Sequence, residues 1–185
     1  MIVEQSDIPI PSGGTYTGKM KEGLGDQSLQ PHGYGSCVWP DGTRYNGQWK
    51  AGKEHGEGTK VFRGGDVYEG QFRKSRLHGQ GSYKSQDGYL LEGQFRKNKL
   101  QGVGKEVQPD GSVFEGEFKD GLKDGQGTCK WADGAEYTGG WKDNEINGTG
   151  DYVWSDGRRY LGEWRNNMLE GKGKMTYTDG RVYEG

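Results

Sequence analysis

Three histidines, two cysteines and a row of basic residues are the side chains of this 185-residue sequence best suited to chemistry. His32, His55 and His78 recur at intervals of 23 residues, each followed by glycine. Zinc needs its ligands at about 2.0–2.1 Å from one ion. If each 23-residue unit is a pair of strands, equivalent histidines stand about 9–10 Å apart and cannot share an ion. They read as polar caps, or as halves of a metal site shared between two molecules. Cys37 and Cys129 fall in one column, four units apart. That separation is on the order of 38 Å, too far for a disulfide, so both read as small buried thiols. Ser36, Ser82, Ser112 and Ser155 have no base at a fixed spacing. Neither a nucleophile elbow nor a phosphate loop with its lysine is present. No catalytic residue, metal or cofactor is expected.

The basic residues form a longer pattern. Lys21, Lys50, Arg73, Arg96, Lys119, Lys142 and Arg165 each follow an aromatic or methionine anchor. Lys50, Lys53, Arg73, Lys74, Arg76, Arg96, Lys97 and Lys99 concentrate in the second to fourth units and form a candidate site for anionic lipid or an acidic partner. Each such charge contributes about 1 kcal/mol near an anionic membrane surface. The competing reading is that they keep strand edges soluble and unpaired. Asp120, Asp124, Asp143 and Glu145 interrupt the pattern later in the chain.

The elements that position these residues follow from a repeated phrase. Tyr45-Asn-Gly47-Gln-Trp49, Tyr68-Glu-Gly70-Gln-Phe72, Leu91-Glu-Gly93-Gln-Phe95, Phe114-Glu-Gly116-Glu-Phe118, Tyr137-Thr-Gly139-Gly-Trp141 and Tyr160-Leu-Gly162-Glu-Trp164 are spaced by 23 residues. An earlier copy is Tyr16-Thr-Gly18-Lys-Met20, and another begins at Tyr183. Alternation predicts a half-buried strand in each copy. Ala51-Gly52-Lys53-Glu54 reads as a turn, and His55–Phe62 as a second strand. Asp41-Gly42, Asp87-Gly88, Asp110-Gly111, Asp133-Gly134, Asp156-Gly157 and Asp179-Gly180 mark the next turns. Glycine pairs such as Gly56/Gly58 lie two apart, which predicts that both face the aromatic side beneath neighbouring rings. The expected fold is all-β: an elongated single-layer, twisted antiparallel sheet of consecutive hairpins, with about 14 strands. Residues 1–14 lie outside the repeat, as a cap or a loose segment. Residues 15–185 hold seven repeats, starting at Tyr16, Tyr45, Tyr68, Leu91, Phe114, Tyr137 and Tyr160, plus the start of an eighth at Tyr183.

Composition agrees with an array. Only 29% of residues are hydrophobic and 37 are glycine, too little apolar mass for a thick core, while 12% aromatic content argues against disorder. A net charge of −2 gives no reason to expect a nucleic-acid partner. The sequence begins without a basic start and apolar stretch, and no apolar run is of membrane-spanning length. The expected location is cytoplasmic, at cytoskeleton, cilium or membrane periphery.

The phrase Tyr-x-Gly-x-Trp, a turn, His-Gly-x-Gly, an aromatic residue and Asp-Gly resembles the MORN (membrane occupation and recognition nexus) repeat. The resemblance covers residues 16–185. Met20 and Leu91 depart from its aromatic positions, and the first repeat carries six extra residues around Gly25–Gln30. It implies a sheet of hairpins that binds proteins or lipids and has no catalytic site. It also admits a regulatory arm of a longer enzyme, such as a phosphatidylinositol phosphate kinase. A one-sided aromatic sheet exposes more apolar surface than monomers usually leave open. Tyr45, Trp49, Phe72, Phe95, Phe118, Trp131, Trp141, Trp154 and Trp164 are therefore the candidate groove for a partner helix or extended peptide. A homodimer through the C-terminal strand edge is the accompanying expectation.

Overall fold

The computed structural model describes residues 2–23 and 28–185. Part of the insertion around Gly25–Gln30 therefore lies outside the described residues. The described residues form one open antiparallel sheet of sixteen strands, whose order in the sheet is their order in the chain. The chain divides into two compact units, Met1–Gln86 with Gln94–Lys99, and Asp87–Gly93 with Leu100–Gly185. The first holds β1 (Ile2–Pro9), β2 (Thr15–Glu22), β3 (Leu29–Val38), β4 (Arg44–Lys50), β5 (Lys53–Val61), β6 (Val67–Arg73) and β7 (Leu77–Lys84). Residues of β8 (Leu90–Arg96) and β9 (Lys99–Val107) fall in both units. The second continues with β10 (Val113–Lys119), β11 (Leu122–Lys130), β12 (Glu136–Lys142), β13 (Glu145–Val153), β14 (Arg159–Arg165), β15 (Met168–Thr176) and β16 (Val182–Glu184). Residues ahead of the repeat supply β1, which pairs with β2 across a bulge between Gln5 and Ile8.

One repeat shows why the phrase folds this way. Gly47 on β4 lies opposite Gly58 on β5. The Tyr45 ring lies over this pair: a Cβ on Gly58 would stand 2.5 Å from the Tyr45 hydroxyl oxygen. That hydroxyl donates to the Gln48 carbonyl at 2.8 Å. Tyr16, Tyr68, Tyr137 and Tyr160 do the same to the carbonyl three residues on. A tyrosine, two facing glycines and a carbonyl are thus one interlocked unit, which explains why Tyr-x-Gly recurs.

The register then slips. Between Gly47/Gly58 and Trp49/Glu54, β4 spends one residue where β5 spends three. Gly56 stands in this bulge with φ +57, a left-handed conformation that L-residues with a Cβ avoid. A Cβ there would strike Gln48, a side chain of the polar face. This corrects the expectation that both glycines of a pair face the aromatic side: the bulge turns the first one over, and only the second lies beneath a ring.

The two kinds of turn also differ from the sequence reading. Lys50 pairs with Lys53, so the turn beyond β4 is the two residues Ala51-Gly52, both at positive φ, a type I′ connection. Asp-Gly instead sits inside a five-residue closure. Trp39 N–H donates to Thr43 C=O, Gly42 N–H donates to Trp39 C=O, and Asp41 Oδ1 accepts Thr43 N–H. The Asp41, Asp110 and Asp156 carboxyls are held below the ordinary range chiefly by such backbone N–H groups.

Candidate functional site

In the first unit the aromatic residues pack edge to face across the strands. Tyr16 meets Trp49, Trp49 meets Tyr45, Tyr45 meets Phe72, Phe72 meets Tyr68, and Tyr68 meets Phe95, with ring centroids 5.0–5.2 Å apart. The second unit repeats this through Phe118, Phe114, Trp141, Tyr137, Trp164 and Tyr160. Each such pair contributes about 0.5–1.5 kcal/mol beyond area burial. The indole N–H groups of Trp49 and Trp141 donate to the Gly35 and Gly127 carbonyls. Tyr45, Trp49, Phe72, Phe95, Phe118, Trp141 and Trp164 are each no more than 7% exposed. They form the core, which corrects the picture of an open aromatic face. T-shaped neighbours, on the same strand or from an adjacent hairpin, close over these rings.

What stays accessible is smaller. Trp131 and Trp154 are half-buried. With Ile146, Tyr152, Trp164 and Leu169 they line a concavity of about 410 Å³ in the second unit. Tyr152 is its centre, with Trp131 stacked on it at 5.2 Å and Trp154 tilted against it at 4.6 Å. Sequence reasoning missed Tyr152. The available signal was its column, shared with Cys37, Lys60 and Cys129, which faces the rings.

Two buried charges were also missed. Glu54, 2% exposed, pairs with Lys60 at 2.7 Å, and Lys60 Nζ lies over the Trp39 and Phe62 rings. In the second unit Glu106 pairs with Lys123 at 2.9 Å, and Lys123 Nζ lies over Phe114 and Trp141. Leu77, Leu100, Ile146 and Leu169 occupy the column of Glu54 and Lys123, so these breaks in an apolar column were the legible sign. Burial, aided by Glu54, pushes the Cys37 thiol up to about 11, and burial pushes Cys129 up to about 11. Neither cysteine is in a disulfide. Among the described residues no three His, Cys, Asp or Glu side chains converge as metal ligands would.

The basic residues gather where the type I′ turns put them. Lys53, Arg73, Lys74, Arg76, Arg96 and Lys97 line a concavity of about 480 Å³ in the first unit, together with His78. Lys50 and Lys99 are not part of its lining. Among the described residues none of these six cations makes an ion pair. His55 is held below its ordinary value by burial, then by Lys50 and Arg73. The arrangement is an electropositive hollow with no carboxylate in its wall.

Comparison with known proteins follows the repeats closely. A family model described as the MORN repeat matches residues 30–44, 45–67, 68–88, 92–113, 114–136, 137–158 and 160–180. No curated protein matches the chain. Among solved structures, it is similar to the TCP domain of SAS-4 (dCPAP) of Drosophila melanogaster, in complex with a proline-rich motif of Ana2 (dSTIL). The TM-score is 0.49 at 14% identity, over 89% of this chain and 87% of that one. A mutant TCP10 domain of Danio rerio CPAP gives 0.47 at 16% identity, over 96% and 97%. The wild-type domain with a peptide of Danio rerio STIL gives 0.18 at 17%, over 100% and 99%.

Proposed function

Because the chain belongs to the MORN-repeat family, we propose that it is a non-catalytic scaffold that binds a segment of a partner protein. The observation that carries this reading is the Trp131, Tyr152 and Trp154 cluster, three half-buried rings gathered in one concavity. Aromatic side chains grouped in a hollow are the usual anchors of protein interfaces. The residues to alter are Trp131 and Trp154. Trp141 and Trp164 sit in the core, and replacing them would unfold the sheet locally. Selection of short peptides from a random display library should enrich binders on the native chain and lose them on the Trp131→Ala, Trp154→Ala variant. Equal enrichment on both sinks the reading. The setting that fits it is a cytoplasmic assembly at cytoskeleton, cilium or membrane periphery. Exposed Met168, Leu169, Val182 and Tyr183 favour self-association through the last strands. Sedimentation at rising concentration tests that, and a monomer throughout opposes it.

A second reading has its own observation. Six cations around one hollow, none of them in an ion pair among the described residues, favour binding of a phosphate-rich surface, such as phosphoinositide-containing membrane. Vesicle sedimentation at low and high salt tests it. Indifference to lipid charge, or to reversal of Arg73, Lys74, Arg96 and Lys97, removes it.

A further inference from the structure

One type I′ turn is built unlike its counterparts. The two-residue turns are Ala51-Gly52, Lys74-Ser75, Lys97-Asn98, Asp120-Gly121, Asp143-Asn144 and Asn166-Asn167, with positive φ at both positions of each. Glycine and asparagine suit this backbone. Lys74-Ser75 alone among them has neither, so no residue that tolerates the left-handed region well stands at either position. Ser75 also stands in for asparagine in a clamp between hairpins. Its N–H donates to the Glu54 carbonyl at 3.0 Å, and its Oγ accepts the Glu54 N–H at 3.2 Å. Asn98, Asn144 and Asn167 accept the equivalent N–H groups of Leu77, Lys123 and Ile146 at 2.8–2.9 Å. With a residue pair less suited to this backbone and a longer side-chain clamp, this turn opens more easily than those of Asn98, Asn144 and Asn167.

Its sequence is Arg73-Lys74-Ser75-Arg76, and Ser75 is exposed. Arg73, Lys74 and Arg76 line the basic hollow with Lys53, Arg96 and Lys97. We propose that Ser75 is a phosphorylation site for a basophilic serine/threonine kinase, and that its phosphate occupies the chain's own basic hollow. In the reaction Ser75 Oγ attacks the γ-phosphorus of a nucleoside triphosphate. The Oγ–P bond forms, the bridging bond to the β-phosphate breaks, the hydroxyl proton leaves to the kinase base, and the nucleoside diphosphate departs. Opening of the strained turn presents the flanking cations in the extended form such a kinase reads. After reclosure the phosphate brings about −1.5 to −2 charge and three acceptor oxygens, matched to the Arg73 and Arg76 guanidinium donors. The charge of the hollow falls from six cations to a net of about four. The regulatory half of this inference rests on the reading of the hollow as an anion site, since internal and external phosphate compete for the same cations.

The test uses the full chain, a basophilic kinase catalytic subunit, ATP and peptide mapping by mass spectrometry. The expected result is one phosphate, on Ser75, absent from the Ser75→Asn variant, which keeps the clamp and melts no lower than the wild-type chain. The phosphorylated chain should bind phosphatidylcholine vesicles carrying a bisphosphorylated phosphatidylinositol at least about tenfold more weakly, the consequence of cancelling two charges near an anionic surface. No phosphate at Ser75 overturns the site, whatever the vesicles show. A phosphorylated Ser75 with unchanged vesicle affinity overturns occupancy of the hollow. An unmodified chain that ignores these vesicles overturns the anion reading and the competition with it, while the mapping still decides the site.

Discussion

Adding one methyl group at Gly58 probes the unit from which the sheet is built. The new Cβ would stand 2.5–2.7 Å from three atoms of the Tyr45 ring and hydroxyl, so the ring must leave its place over Gly47 and Gly58. Overpacking of this kind costs about 1–3 kcal/mol. Displacing the ring also breaks the Tyr45 hydroxyl bond to the Gln48 carbonyl, worth about 1 kcal/mol. Reduced freedom of the unfolded chain returns about 0.5 kcal/mol. The net expectation for Gly58→Ala is a loss of about 1.5–3.5 kcal/mol. The chain contains its own control, because Leu91 replaces tyrosine in the fourth repeat. At Gly104 a Cβ would meet the Glu92 carbonyl oxygen and the Leu100 Cδ2, both at 2.8 Å, with no tyrosine ring in the way. Overpacking is therefore shared, but no tyrosine hydrogen bond is broken, so Gly104→Ala should cost less by about 1 kcal/mol. Tyr45→Leu combined with Gly58→Ala should recover part of the loss, a coupling read from the double-mutant cycle. Urea unfolding followed by far-ultraviolet circular dichroism, with hydrogen exchange to localise the change, measures all of these. Equal costs at Gly58 and Gly104, or strict additivity with Tyr45→Leu, would refute ring-on-glycine packing as the reason for the repeat.

Other expectations follow from the same geometry. Replacing Lys74-Ser75 by Asn-Asn, the pair found at Asn166-Asn167, should raise stability by about 1 kcal/mol in urea, since both positions hold positive φ and the clamp to Glu54 N–H is kept. Lys60→Met should cost about 3–5 kcal/mol by stranding the Glu54 carboxylate, whereas Lys60→Met with Glu54→Leu should be close to neutral. Burial raises the Tyr16, Tyr68 and Tyr137 hydroxyls from 10.0 to about 12. The unfolded chain releases these protons first, so their contribution is complete below pH 10 and is lost as pH rises from 10 to 12. The melting temperature should drop in that window, and less so in Tyr68→Phe. Cys37 and Cys129 should resist a thiol reagent at pH 8 until the chain unfolds, because both thiols are buried and raised to about 11.

Much of the fold was readable because the period is strict. Alternation placed β4 and β5, Asp41-Gly42 marked a reversal, and Gly58 beneath Tyr45 followed from the need for bare backbone. Three things were not readable, each for a physical reason. The depth of Trp49 depends on Tyr16 of the preceding repeat closing on it beside Tyr45 of its own strand, a contact between repeats that a single repeat does not encode. The face of Gly56 depends on a bulge, and a strict two-residue period has no place for one. The pairing of Glu54 with Lys60 brings a carboxylate and an ammonium under aromatic rings, whereas the sequence placed Glu54 in a turn and Lys60 on a strand with nothing to join them. Of the candidate sites, the basic turns were legible because a two-residue turn forces its flanking residues together. The open aromatic cluster was legible only in part, since Tyr152, its centre, looks like a spacer residue in the linear pattern.

The central claim is that the Trp131, Tyr152 and Trp154 cluster holds a protein segment. Its most direct test is the affinity of the best display-selected peptide, by fluorescence anisotropy, for three forms of the chain. The account predicts a loss of about tenfold or more for Trp131→Ala with Trp154→Ala, and less than about twofold for Arg73→Glu with Arg96→Glu, whose charges lie elsewhere. Full affinity in the tryptophan variant, or the opposite ranking of the two variants, would contradict it.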